Sequence, residues 1–329
     1  MTPDRVQQLR EDTAGGPAAL AASLEAYAAE GGPLVGIGDR PTGIAFTGLG
    51  SSRYAALTAA SEARRLGIPA WPELASSAAP TPPSPGQVLV AISASGRTRE
   101  TVESARRYRT GGGRVIAMTN EPASALAVEA DHVLPLLAGA EGAGIATRTF
   151  RATLAVCAML IRRWADPAWA VESLRPTVAR LEAVMAARDV WLPAAVELFE
   201  GRMAIDVLGD DADAALVHQA ALMLREAPRQ PAVPHDTADW LHTAVYLALP
   251  GHRALLFSGS ELDGEVVDTI RRRGGETVVI GSPVDGAALT IELPQSEGPL
   301  ERAIVAAVVA ELLSAELWRR TTAEDAGPS

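Results

Sequence analysis

The chain has 329 residues, 48% hydrophobic and 21% charged, enough for two domains of ordinary size, and a formal net charge of −11. That charge, with no basic patch to follow a phosphate backbone, argues against nucleic acid as a partner. No stretch of ~18 or more apolar residues is free of charge and no basic start leads into an apolar segment, so no membrane association is expected and the default compartment is the cytoplasm.

Residues 1–34 read as an N-terminal helical segment (AALAASLEAYAAE) closed by Gly31, Gly32 and Pro33. A first α/β unit, 35–165, follows. GIAFTGLG (43–50) is a strand running into a Gly-rich turn, and SSRYAALTAASEARRLG has helical spacing and stops at Gly67. IPAWPELA is a second strand, SSAAPTPPSPG a Pro/Ser loop, and QVLVAIS (87–93) a third strand. A helix to about Gly111 and the strands RVIAMTN (114–120) and HVLPLL (132–137) complete the unit. Residues 166–200 read as a helical connector packed between domains.

The alternation then restarts in a second unit, 201–320. It comprises MAIDVLG (203–209), the helix ALVHQAALMLRE, RALLFSGS (253–260), the helix DGEVVDTIRRRGG, ETVVIGS (276–282), LTIELP (289–294) and a last helix over 299–320. RRYRTGGGRVIAMTN in the first unit matches TIRRRGGETVVIGS in the second, which marks an internal duplication. Residues 321–329 read as a disordered tail. Strands alternating with helices imply two tandem doubly wound parallel sheets, each covered on both faces.

Ligands in such sheets bind beyond the carboxyl ends of the strands, where helix N-termini direct free N–H groups outward. Two hydroxyl-rich turns fall there: Gly50-Ser51-Ser52, and Ser93-Ala94-Ser95-Gly96-Arg97-Thr98. N-capping explains one such turn. Two on one sheet edge favour an anion site, with Gly96 letting the main chain come close. GLGSSR half-matches a dinucleotide fingerprint with Glu73 as ribose acceptor, but Arg53 stands at the third glycine position. No cofactor is therefore expected. All 29 basic residues are arginine, so no side-chain amine is present for Schiff-base chemistry. Cys157, the one cysteine, lies in the apolar run LAVCAML and reads as a buried thiol. His235, Asp239 and His242 have the i, i+4, i+7 spacing of a zinc-binding helix face, yet no third strong ligand accompanies the two histidines, and no metal is expected.

GLGSSRYAA, GIPAWPELAS, ISASGRTRET and AMTNEPASALAVEADHVLPL together resemble the SIS (sugar isomerase) domain, and the order of the two units resembles the isomerase half of glucosamine-6-phosphate synthase. The resemblance covers residues 40–320. It implies two flavodoxin-like domains, a sugar phosphate gripped by Ser93, Ser95 and Thr98 together with Ser51 and Ser52, and further substrate contacts from Gly50, Gly96 and the segment Glu141–Thr147–Arg148, where Arg148 replaces a family lysine. It also implies a glutamate late in a helix that moves a proton between neighbouring carbons, and a histidine sixteen residues on that assists ring opening. Glu226 and His242 have that spacing. In the family this histidine comes from the neighbouring subunit, which implies a homodimer with shared active sites.

The family's His-Gly-Pro is His242-Thr243-Ala244 here, and a glutamine common between the two turn serines is Ala94. No cysteine-nucleophile glutaminase unit precedes the first α/β unit, so glutamine-dependent amination is not expected. The expected activity is isomerisation of a phosphorylated sugar or amino sugar. The alternatives are a deaminase or deglycase, and a non-catalytic sugar-phosphate sensor.

Overall fold

The computed structural model describes residues 3–201 and 204–325. Helices α1 (Pro3–Ala14) and α2 (Gly16–Ala28) come first, broken at Gly15. The first unit then runs β1 (Gly43–Gly48), α3 (Ser51–Arg65), β2 (Ala70–Leu74), β3 (Gln87–Ile92), α4 (Arg99–Thr110), β4 (Arg114–Thr119), α5 (Ala125–Val128), β5 (His132–Pro135) and α6 (Arg148–Ala165). Helices α7 (Pro176–Ala186) and α8 (Arg188–Phe199) lead to the second unit. It consists of β6 (Ile205–Gly209), α9 (Ala214–Glu226), β7 (Ala232–Asp236), α10 (Thr237–Thr243), β8 (Arg253–Phe257), α11 (Asp263–Arg272), β9 (Glu276–Ile280), β10 (Leu289–Ile291) and α12 (Pro299–Asp325).

Each unit builds a five-stranded sheet, ordered β2-β1-β3-β4-β5 and β10-β9-β8-β6-β7, and every pairing is parallel. Matched by sequence order within each unit the two sheets have the same topology, and the duplicated helix-to-strand segments are α4–β4 and α11–β9. The central strands are apolar on both faces because helices cover both. One continuous core joins the inner faces of the two sheets through α3, α6, α9 and α12: Phe46, Val90 and Met118 contribute from one sheet, Val207, Phe257 and Ile280 from the other. The outer faces are covered by α4 on the first sheet and by α10 and α11 on the second.

Two buried ion pairs sit inside this helical layer. Arg151 binds Glu311, each side chain 1% exposed, and Arg162 binds Glu301 and Glu62. Gly16 makes the first pair possible, since a Cβ there would fall inside the Arg151 guanidinium. The Pro/Ser loop docks on the run Gly111-Gly112-Gly113: Pro83 lies where side chains on Gly111 and Gly113 would stand, and Tyr108 packs over Gly113.

Three expectations are corrected. β7 reads AVPHD, and its Pro234 hides the strand signal; β7 is an edge strand, where a missing N–H is tolerated. The zinc-like spacing is not realised on one helix face, because His235 lies in β7 while Asp239 and His242 lie in α10. The tail is helical further than expected: α12 continues to Asp325, with the Thr321 and Thr322 hydroxyls donating to carbonyls one turn back, and residues 326–329 lie outside the described residues. Met203, expected to open a strand, lies outside them too.

Candidate active site

The C-terminal edge of the first sheet brings together both hydroxyl turns. Gly50 sits at φ +55° and turns β1 into α3, while a Cβ on Gly48 would stand 2.8 Å from that of Ser52, so strand and helix approach closely there. The close-packed glycine of this turn is therefore Gly48, and Arg53 is exposed. Glu73, the other half of the dinucleotide pattern, accepts from the Thr81 amide and hydroxyl instead.

Simple capping does not account for these hydroxyls. Neither α3 nor α4 has a side-chain cap: Gly50 is the N-cap of α3, and the Thr98 hydroxyl at the N-cap of α4 pairs with the Ser93 hydroxyl, 3.0 Å away. Ser51 and Ser52 stand half-buried in the first turn of α3, Ser95 is exposed, and Ser93 is buried. Gly96, at φ +59°, packs against Ser124: a Cβ there would lie 1.9 Å from the Ser124 hydroxyl oxygen. Its amide donates to the Ser93 carbonyl and its carbonyl accepts from Leu126, so Gly96 shapes the turn.

Beside this edge a cleft of about 730 Å³ is lined by Ser95, Asn120, Glu141, Gly144, Ala146 and Thr149, among others, a volume ordinary for small-molecule sites. Asn120, at the end of β4, ties the far wall in place. Its side chain donates to the Thr149 hydroxyl and accepts from the Ala138 amide. Glu141 lines the cleft while one of its oxygens receives the Thr147 amide and hydroxyl and the Thr149 amide, so it anchors the start of α6. Thr147 thus faces Glu141. Arg148 reaches the other way, to Asp12 of α1 at 2.7 Å and to the Ala140 carbonyl. Asn120 is a site residue the sequence reading passed over, although its position at a strand's carboxyl end was a usable signal.

Glu226 comes to this edge from the second unit. Helices α3 and α9 run antiparallel across the inner layer: Thr58 bonds to Ala212 and Ala215, and Tyr54 stacks on His218 with ring centroids 5.0 Å apart. Continued in that direction, α9 ends about 7 Å beyond the start of α3, at about 1.5 Å per residue. The end of α9, with Glu226 exposed on it, is therefore directed toward the edge where Ser51 and Ser52 begin α3. Gln219, on the same helix, donates to the Ala146 carbonyl of the cleft wall at 3.0 Å. Partial burial pushes the Glu226 carboxyl upward, while the Arg225 and Arg5 guanidiniums pull it back. An upward shift is the direction expected of a carboxylate that serves as a general base.

His242 is not part of this cluster within one chain. It is exposed on α10, whose neighbours are β6, β7 and α11, and it is not among the charges acting on Glu226. His235 turns inward and pairs with Asp206 at 3.3 Å, and His252 approaches the same carboxylate at 3.2 Å. Burial opposes ionisation of Asp206, but the two imidazoles and the Trp240 N–H together hold its carboxyl well below the usual range. Among the described residues no group of histidine, cysteine and acidic side chains is arranged to hold a metal, and no helix is long and apolar enough to cross a membrane.

Residues 40–163, which hold both hydroxyl turns and the cleft wall, match the SIS domain. This segment of the chain is similar to an SIS domain. Among curated proteins it is 33% identical over 250 residues to the glutamine–fructose-6-phosphate aminotransferase (isomerizing) of Aeropyrum pernix, covering 71% of this chain and 40% of that protein. The chain thus spans less than half the length of the curated relatives it matches. Its fold over both units is that of the C-terminal domain of glucosamine-fructose-6-phosphate aminotransferase from Francisella tularensis, with a TM-score of 0.81, 18% identity and 96% of each chain covered. Glucosamine-6-phosphate deaminase from Thermotoga maritima also shares this SIS fold, with a TM-score of 0.76, 18% identity, and 98% of this chain and 96% of that chain covered. The Aeropyrum pernix and Thermotoga maritima enzymes both carry a phosphorylated sugar in their names, as does the tagatose-6-phosphate ketose/aldose isomerase from Escherichia coli, which shares the fold with a TM-score of 0.77 and 16% identity over 96% of this chain and 93% of that chain.

Proposed function

We propose that the protein is a phosphosugar isomerase acting on a phosphorylated sugar or amino sugar. Ser51, Ser52, Ser93, Ser95 and Thr98 hold the phosphate, aided by the amides at the start of α3 and by the positive end of its dipole. Glu226 removes a proton from one carbon and returns it to the neighbour. The observation that supports the reading most is the antiparallel pairing of α3 with α9, which directs Glu226, an exposed carboxylate whose pKa is shifted upward, toward the edge where α3 begins. The names of the similar proteins support the same substrate class.

His242 acts from a second copy of the chain, protonating and deprotonating the ring oxygen as the sugar opens. Its exposure on α10, apart from Glu226 of its own chain, supports a shared site in a homodimer. Glutamine hydrolysis is not part of the proposed activity. The one thiol of these 329 residues, Cys157, is buried and pushed up to about 12, so it does not supply a thiolate.

The test is exchange of the carbon-bound proton with deuterated solvent during turnover, at C2 of glucosamine 6-phosphate and at C1 of fructose 6-phosphate, with ammonia release measured in parallel. Exchange without ammonia supports the isomerase, and exchange with ammonia the deaminase. Glu226→Gln is expected to lose ~10²–10⁴-fold in exchange, and undiminished exchange removes Glu226 from the role. Thermal stabilisation by these sugar phosphates, lost in Ser95→Ala and without any exchange, favours a sensor instead.

A further inference from the structure

We infer that α1 is part of the active site and that Asp12 is a positioning residue that sets the 139–147 wall of the cleft. The catalytic meaning of this inference rests on the phosphosugar reading; its geometry does not. The Asp12 carboxylate, 6% exposed, uses both oxygens on that wall: one receives the Ala143 amide at 3.0 Å and the other the Arg148 guanidinium at 2.7 Å. Two turns earlier on the same face of α1, Arg5 donates to the Ala143 carbonyl at 2.6 Å. Ala143 is thereby held at both its N–H and its C=O by side chains of one helix.

The wall has reason to need this. Gly139 and Gly144, which line the cleft, sit at φ +71° and +66°, and Gly142 lies between them, so the segment has little stiffness of its own. Val6 and Leu9, on the same face of α1, form a small cluster with Ala143 and Ile145 of the wall, Met223 and Ala227 of α9 and its following turn, and Ala315 and Trp318 of α12. Met223 and Ala227 bracket Glu226. One helix therefore touches the cleft wall and the helix end that bears the proposed base, and these residues stand outside the main core between the sheets. The Asp12 contact also holds the Arg148 side chain, which is 20% exposed, against α1.

The experiment compares the wild-type chain with Asp12→Ala, Asp12→Asn and Asp12→Glu. Amide hydrogen exchange is read by mass spectrometry on the free protein, and steady-state kinetics are measured with fructose 6-phosphate. Asp12→Ala is expected to speed exchange across 139–147 by about tenfold or more while β3 and β8 keep their protection. It is also expected to lower kcat/KM by ~10–100-fold, with Asp12→Glu recovering part of the loss. Asp12→Asn keeps an acceptor for the Ala143 amide but loses the charge facing Arg148, so it serves if the alanine variant does not fold, and a smaller change in both readings is expected. Unchanged exchange in 139–147 overturns the positioning role. Faster exchange with unchanged kcat/KM overturns its place in the active site. A wild-type chain that neither binds nor turns over the sugar phosphate removes the functional reading, and the exchange measurement then decides the role of Asp12 alone.

Discussion

Replacing Gly96 by alanine tests the architecture of the hydroxyl turn directly. Two penalties follow from the geometry. At φ +59° a Cβ brings a left-handed cost of ~1–2 kcal/mol, and its position 1.9 Å from the Ser124 oxygen and 2.3 Å from the Ser124 Cβ forces a shift that typically costs ~1–3 kcal/mol. Gly96→Ala should therefore destabilise by about 2–5 kcal/mol. Ser124→Gly removes both clashing atoms. Alone it loses the hydroxyl that accepts the Ala127 amide at the N-cap of α5, which for a glycine replacement costs only a few tenths of a kcal/mol. With Ser124 gone, the next atom near the new Cβ is the Thr119 hydroxyl oxygen at 3.0 Å, tight but not excluded. The double variant should then recover the steric part and show a coupling of ~1–3 kcal/mol. Denaturant unfolding of the four proteins measures the cycle, and titration with inorganic phosphate shows whether the anion cradle moves with it. Strict additivity would falsify the claim that Gly96 exists for its approach to Ser124. A Gly96→Ala variant with wild-type stability and weakened phosphate binding would mean that the glycine serves the ligand instead.

Arg5→Gln and Arg225→Gln each remove a charge that lowers the Glu226 pKa, so the acid limb of the exchange rate, where Glu226 takes up a proton, should move to higher pH in both variants. A limb that stays in place or moves down would show that neither guanidinium acts on the base. Glu311→Gln leaves the Arg151 guanidinium buried without its counter-charge, and stability measured by chemical denaturation should drop by ~3–5 kcal/mol. Asp213 is pushed up to about 7 by burial and by Asp210 and Asp263, against the pull of Arg302. Its folded pKa lies above the ordinary 3.8, so the stability it adds is fully present below that value and is lost as pH rises toward 7. Asp213→Asn should flatten the decline in stability across that window.

The sheets were legible because strands buried on both faces read as continuous apolar runs, as in QVLVAI and RALLF. β7 was not, because an edge strand carries no such requirement and Pro234 interrupts the run. The hydroxyl turns were legible as turns at the carboxyl ends of strands, but their partners were not: nothing in ISASGRT announces that Ser93 and Thr98 pair with each other or that Gly96 answers Ser124. The interval from Glu226 to His242 is a spacing in sequence and not a proximity within one chain, because β7 intervenes and carries His242 to the other face of the second sheet. Asp12 and Ala143 are 131 positions apart in sequence, and no local periodicity encodes a contact at that range.

The duplication gives a physical reason for proposing the phosphate site in the first unit. The turns after β6 and β8 occupy the places of those after β1 and β3, and Ser258 repeats the hydrogen bond of Ser93, each amide donating to the last residue but one of the bond's neighbouring strand or to its end: Ser93 to Met118, Ser258 to Ile280. From there the chemistry diverges. Where the first sheet edge presents Ser51, Ser52, Ser95 and Thr98, the second presents Asp210, Asp213 and Asp263. The Asp263 carboxylate accepts the Gly259 and Ser260 amides at 2.7 and 3.0 Å, so this turn already binds an anion of its own. Arg302 lies against the same edge, donating to Asp213 and to the Ser258 carbonyl beneath Gly281. A phosphate dianion arriving there meets carboxylates at close range and finds two amides already taken, with one guanidinium committed to Asp213. The same strand order thus yields the edge proposed to hold a phosphate in one unit and an edge lined with carboxylates in the other, and the difference lies in a few side chains on two turns.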